Sequence, residues 1–346
     1  MKTKKVQIGK IVIGGGMPIA VQSMTNTDTR QVTTTVAQIR RLVITGCEIV
    51  RVAIPDPDAA AAFAKIRERV SSVPLVADIH FDYRLAIAAA RAGADKIRIN
   101  PGNLGSQDNL KKVVEICREK KIPIRIGVNA GSLEKIPGKS ITARLVASVV
   151  RNVRTLEKLN FKNIVVSAKS SSVPVSVAAY RKLSRVLPYP LHLGVTEAGS
   201  KHAGIVKSAA GIGALLCDGI GDTLRISLTA KPEVEIQAAW DLLRACEIRQ
   251  KGVNIISCPT CGRTEVDLIP LVAKVEKALS KVKKSLTVAV MGCAVNGPGE
   301  ARHADFALVG GKRMFGIYRA GKFEKSVSEE KALVEFLKLI NSSHDF

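Results

Sequence analysis

From residue 18 to residue 249 the chain alternates short apolar runs rich in β-branched residues with longer stretches in which apolar positions recur at helical spacing. The runs predict eight strands, over 18–24, 47–53, 74–79, 96–99, 123–128, 163–168, 190–195 and 223–226. Helical periodicity follows each of them, over 33–44, 59–70, 83–92, 110–120, 141–159, 175–187, 202–217 and 234–249. Eight such units in series predict a closed (β/α)8 TIM barrel. A doubly wound open sheet usually carries a glycine fingerprint in its first strand-to-helix turn. Here Gly14-Gly15-Gly16 precedes the first strand and Gly211-Ile212-Gly213 lacks a third glycine, so both read as turn or packing glycines. Near residue 250 the pattern changes to a strand at 253–256, a helix at 266–282, a strand at 286–291, segments at 306–309 and 314–319, and a last helix at 328–340. This predicts a barrel domain over 1–248 and a small α/β domain over 249–346, an α/β fold throughout.

The C-terminal ends of barrel strands form the face on which such folds do chemistry. In chain order those ends carry the stretch Met24 to Asp28, Arg51, Asp78 with His80, Arg98 with Asn100, Arg125 with Asn129, Lys169 with Ser170 to Ser172, Glu197, and Arg225 with Ser227. A single arginine there reads as a solvated loop residue. Recurrence at successive strand ends points instead to an anion trap, because guanidinium forks bind phosphate oxygens bidentately and an ammonium adds a point charge. The expected substrate therefore carries phosphate, more than one by the number of cations. His80 and Glu197 are candidates for proton transfer, with ordinary hydrogen bonding as the alternative for His80 and an ion pair to an arginine such as Arg225 for Glu197.

The second domain contains Cys258-Pro259-Thr260-Cys261 and, after 31 intervening residues, Cys293 at the head of a stretch ending in Glu300. A CxxC pair with a distant third cysteine suits an iron–sulfur cluster or a zinc ion, since both take thiolate ligands. No cysteine follows Cys293, so a fourth ligand must come from another residue type. Glu300 lies beyond a Val-Asn-Gly-Pro-Gly turn able to fold it back, and a hard carboxylate on an otherwise soft iron makes an exchangeable corner. With His303 as fourth ligand the same spacing suits zinc. Cys47, Cys117, Cys217 and Cys246 stand in apolar contexts and read as small buried side chains.

Composition narrows the partners. Seven cysteines in 346 residues, an odd number with one CxxC, fit a reducing cytoplasm better than a disulfide-stapled secreted protein. The basic start at Lys2 to Lys5 leads to an apolar run too short for a signal peptide, and no segment has the length of a membrane span. The net charge of +23 invites a nucleic-acid partner, but it is spread along the chain and aromatic residues for base stacking are few. Basic segments such as 67–69, 118–121 and 281–284 read as solvated helix ends. A zinc-containing nucleic-acid-binding protein stays as the alternative from another class.

These residues carry a resemblance to the bacterial hydroxymethylbutenyl diphosphate synthase family of the non-mevalonate isoprenoid pathway, over essentially the whole chain. It rests on the stretches Val21 to Thr29, Ala77-Asp78-Ile79-His80, Arg98 to Asn103, Arg125 to Asn129, Thr196 to Gly199, Ile256 to Arg263 and Met291 to Ala301. The resemblance implies a compact two-domain oxidoreductase that opens 2-C-methyl-D-erythritol 2,4-cyclodiphosphate to 4-hydroxy-3-methylbut-2-enyl diphosphate, with loss of water and two electrons from flavodoxin or ferredoxin. It implies a [4Fe–4S] cluster on Cys258, Cys261, Cys293 and Glu300. The diphosphate would be held by Arg51, Arg98, Arg125, Lys169 and Arg225 with Asn100, Asn129 and Ser227, beside Asp78 and His80. Glu197 would serve proton transfer and Glu300 would yield its iron during turnover. A homodimer is implied, the cluster domain of one chain closing the barrel of the other. Pterin-synthesising barrel enzymes resemble the first domain more loosely and leave the cysteines unexplained.

Overall fold

The structure, a computed structural model, describes residues 2–133, 139–280, 282 and 284–342, and divides into a unit Met1–Arg249 and a unit Gln250–Phe346. Lys281 and Lys283 of the basic segment 281–284 lie outside the described residues.

The first unit opens with a hairpin that periodicity alone did not reveal, β1 (Val6–Ile8) paired antiparallel with β2 (Ile11–Ile13). Val6, Ile8 and Ile13 pack with Ala20, Ile49, Val76 and Val165, so the hairpin plugs the N-terminal end of the barrel. The barrel strands are β3 (Ala20–Met24), β4 (Ile49–Ala53), β5 (Leu75–Asp78), β6 (Lys96–Ile99), β7 (Ile124–Asn129), β8 (Ile164–Lys169), β9 (His192–Leu193) and β10 (Thr223–Leu224). All are parallel, in the order β8-β7-β6-β5-β4-β3-β10-β9. A parallel bridge between Val166 and Leu191 closes the ring.

The helices are α1 (Val32–Thr45), α2 (Pro57–Arg69), α3 (Tyr83–Arg91), α4 (Gln107–Glu119), α5 (Ile141–Lys158), α6 (Val173–Val186), α7 (Lys201–Cys217) and α8 (Pro232–Ala245). Their starts are chemically marked: Asp56 Oδ1 accepts from Ala59 N at 2.8 Å ahead of Pro57, and Ser106 and Ser140 cap α4 and α5 in the same way. Strands buried on both faces, such as β8, read as continuous apolar runs for that reason.

The second unit is a five-stranded sheet, β11 (Val253–Ser257), β12 (Leu286–Met291), β13 (Phe306–Gly311), β14 (Met314–Arg319) and β15 (Lys322–Ser328), in sequence order. The first three strands run parallel and the last two antiparallel. Helix α9 (Leu268–Leu279) follows β11, α10 (Gly297–Ala301) follows β12, and α11 (Glu329–Ser342) packs Ala332, Phe336 and Ile340 into the core. Strand β15 has no counterpart in the expected elements, and Glu300 sits on α10 rather than on an open turn. Among the described residues no helix is long and apolar enough to cross a membrane.

Candidate functional site

Strand register sets the mouth of the barrel. Asp78 stands level with Arg98, and Arg98 with Arg125, on three consecutive strands. Asp78 is buried and is the hub: Arg98 Nη1 donates to Oδ1 at 3.1 Å, Arg51 Nε lies 3.6 Å from Oδ2, and His80 Nε2 lies 3.5 Å from Oδ2. Burial raises the Asp78 carboxyl, but Arg51, Arg98 and Arg125 outweigh it and hold the acid at about 2. Arg51 is pushed down to about 10, chiefly by burial, with Asp78 acting in the opposite direction.

Arg125 is 1% exposed and donates from Nη1 to Ser167 Oγ at 2.7 Å, while its Nε and Nη2, like Nε of Arg98, have no partner among the described residues. Lys169 is buried beside Arg125, Arg51, Arg225 and Arg98, and its ammonium is held well below the usual lysine range by burial first and by those cations next. Two glycines make room for this crowding. A Cβ on Gly127 would lie 2.7 Å from Arg98 Nε, and one on Gly194 2.5 Å from Lys169 Nζ. Buried donors of one sign, without acceptors to match, are what an arriving polyanion satisfies.

Arg225 is ion-paired. Its fork engages Glu235 on α8, Nε to Oε2 at 3.2 Å and Nη2 to Oε1 at 3.3 Å, and not Glu197. Glu235 also accepts from Ser23 Oγ and from Leu228 N. Glu235 begins a helix rather than ending a strand, so reading strand ends misses it; the local signal is the Pro-Glu-Val-Glu stretch that opens α8. Glu197 is exposed with φ of +52°, a left-handed conformation uncommon for a side chain with a Cβ. Of the polar helpers, Asn100 donates to Asn103 Oδ1 at 3.2 Å, Asn129 ends β7 level with Lys169, and Ser227 is half-buried after β10.

In the second unit Cys258 follows β11 and Cys293 follows β12, neighbouring parallel strands, so both thiols stand at one end of the sheet. Gly292 N donates to Cys258 Sγ at 3.3 Å. Cys261 is exposed, and hydrogen bonds from Arg263, backbone first, lower its thiol toward thiolate. Glu300 is exposed on α10, which also leaves from the end of β12. Among the described residues no three His, Cys, Asp or Glu side chains close into a metal-binding group. The donor types nonetheless suit a thiolate-bound centre. Of the other thiols, Cys47 and Cys117 are buried as expected, whereas Cys217 is exposed and Cys246 half-exposed, because both stand at helix C-termini. A cavity of about 890 Å³ lies at the opposite end of the barrel, near Lys2, Arg181 and Arg185; its acids Asp218 and Asp222 are already bonded, to Arg181 and Thr3.

Residues 3–240 match the family model described as the GcpE TIM-barrel domain, and residues 254–342 the one described as the GcpE protein C-terminal domain. The chain is 55% identical over 342 residues to the 4-hydroxy-3-methylbut-2-en-1-yl diphosphate synthase (flavodoxin) of Caldanaerobacter subterraneus, covering 98% of this chain and 96% of that one. It is 53% identical over 343 residues to the protein of the same name from Fusobacterium nucleatum, covering 98% and 97%. Dihydropteroate synthase from Xanthomonas albilineans shares the fold alone, at a TM-score of 0.52 and 16% identity over 71% of this chain and 97% of its own.

Proposed function

Because the chain is an enzyme of the GcpE family, we propose that it catalyses the reaction for which its relatives are named, opening 2-C-methyl-D-erythritol 2,4-cyclodiphosphate to 4-hydroxy-3-methylbut-2-enyl diphosphate with two electrons from flavodoxin. The observation that carries this reading is the mouth itself, where Arg51, Arg98 and Arg125 gather around one carboxylate, Asp78, and Lys169 lies buried beside the same arginines, with buried guanidinium nitrogens left to bond. A diphosphate seated there takes the unpartnered Nε of Arg98 and the Nε and Nη2 of Arg125, and neutralises the excess charge. Arg225, steadied by Glu235, with Asn100, Asn129 and Ser227, orients it. Glu197, exposed after β9, relays a proton to the departing oxygen.

Cys258, Cys261, Cys293 and Glu300 would hold a [4Fe–4S] cluster, which when bound supplies electrons singly to a substrate that needs two. The thiol donors and the Gly292 N–H on Cys258 sulfur support this assignment. The homodimer, with a cluster unit serving the partner's barrel, and a cytoplasmic setting for the free thiols belong to the same reading. The test is Glu300→Cys, assayed anaerobically for iron, sulfide and turnover with an artificial one-electron donor. A fourth thiolate should keep the cluster and abolish most turnover, because thiolate leaves iron less readily than carboxylate. Cluster and near-wild-type activity together would refute an exchangeable ligand at that position.

A further inference from the structure

A second polar layer lies in the barrel, unused by the anion clamp. Lys96 on β6 is fully buried, its Nζ donating to Gln22 Oε1 at 3.3 Å. His192 on β9 is fully buried too: Nδ1 lies 2.7 Å from Thr223 Oγ1, its carbonyl accepts from the Tyr180 hydroxyl at 2.6 Å, and Nε2 has no partner among the described residues. Gln22 Nε2 and two nitrogens of Arg125 have none either. The charged groups acting on the layer are Arg125 from β7 and Arg51 from β4, joined at His192 by Lys169 from β8 and by Lys96 itself; Gln22, Thr223 and Tyr180 are neutral neighbours. Two bases therefore stand buried among cations, with no carboxylate among these neighbours.

We propose that Lys96 and His192 form a proton-accepting floor to the mouth: when a diphosphate settles against Arg125 and Lys169, the layer takes up a proton from solvent, so that binding brings both substrate and proton into the barrel. The physical argument is field reversal. Burial first, and then the neighbouring cations, lower both Lys96 and His192 well below their usual ranges, and an anion at the mouth offsets the second of those causes. The free Nε2 and the lysine amine are the atoms that accept. The proposal rests on the reading of the mouth as a diphosphate seat.

Calorimetric titration with inorganic pyrophosphate, run in two buffers of contrasting ionisation enthalpy, counts the protons exchanged on binding. The wild-type chain should take up more protons than a Lys96→Met, His192→Phe double variant, by up to one per chain. The ligand's own titration is common to both proteins and subtracts. Lys96→Gln, which keeps a polar partner for Gln22, serves as a second variant should the double variant not fold, and should lower the uptake in the same direction. Equal uptake in wild-type and folded variants that still bind pyrophosphate overturns the floor. Absence of binding to the wild-type chain refutes the diphosphate reading of the mouth, and the floor with it.

Discussion

Replacing Asp78 with Asn removes the single carboxylate that Arg51, Arg98 and His80 share, while keeping the side chain's shape. The acid is held at about 2 against an ordinary 3.8, and at 1.36 kcal/mol per pKa unit that difference corresponds to about 2 kcal/mol of stabilisation at neutral pH. The direction follows from the sign of the shift. Because the folded-state value is depressed, the contribution is complete above about pH 4 and disappears as pH falls toward 2. Thermal unfolding of the whole chain by circular dichroism should therefore show Asp78→Asn melting lower by about 4–8 °C at pH 7, at roughly 2–4 °C per kcal/mol for a unit of this size. The gap between wild type and variant should narrow as pH falls from 4 toward 2. Pyrophosphate should stabilise the variant more than the wild type, since it then replaces the counter-charge that Arg51 and Arg98 lose with Asp78. A variant that melts with the wild type at pH 7, or a gap that does not change with pH, would show that Asp78 is not the electrostatic hub of the mouth.

Glu235→Gln leaves the nearly buried Arg225 without its ion pair, and should cost about 3 kcal/mol of stability by chemical denaturation together with weaker pyrophosphate binding. Unchanged values for both would remove Glu235 from the site. Mixing inactive Glu197→Gln chains with inactive Cys293→Ser chains should restore part of the activity if each site draws on two chains. Continued inactivity after proven subunit exchange would assign each chain its own site.

The parallel strands were legible because burial on both faces writes them as apolar runs, and the cations at their ends because a charged residue closing such a run has to face the mouth. Strands over 190–195 and 223–226 shortened to His192–Leu193 and Thr223–Leu224, whose ladders to each other and to β3 are two residues long. The hairpin β1–β2 stayed hidden because three-residue strands carry too little periodicity. Strand β15, Lys322–Ser328, stayed hidden because its exposed face breaks the alternation. The Arg225–Glu235 pair joins a strand end to the next helix: the Pro-Glu-Val-Glu opening of α8 offers the carboxylates, and only the fold selects Glu235 as the partner. Lys96 opens β6 directly after Asp95, and His192 stands between Leu191 and Leu193, so their inward direction emerges only once the ring is closed.

On the proposed function, the barrel mouth and the cysteine-bearing unit both serve the conversion of a cyclic diphosphate. Its most direct test is phosphorus NMR of anaerobically reconstituted protein with 2-C-methyl-D-erythritol 2,4-cyclodiphosphate, reduced flavodoxin and no other enzyme. The account predicts that the cyclic diphosphate signals give way to those of an open-chain diphosphate, at a rate abolished by Cys293→Ser and lowered at least tenfold by Glu197→Gln. A reconstituted, cluster-bearing protein that leaves the cyclic diphosphate intact would contradict it.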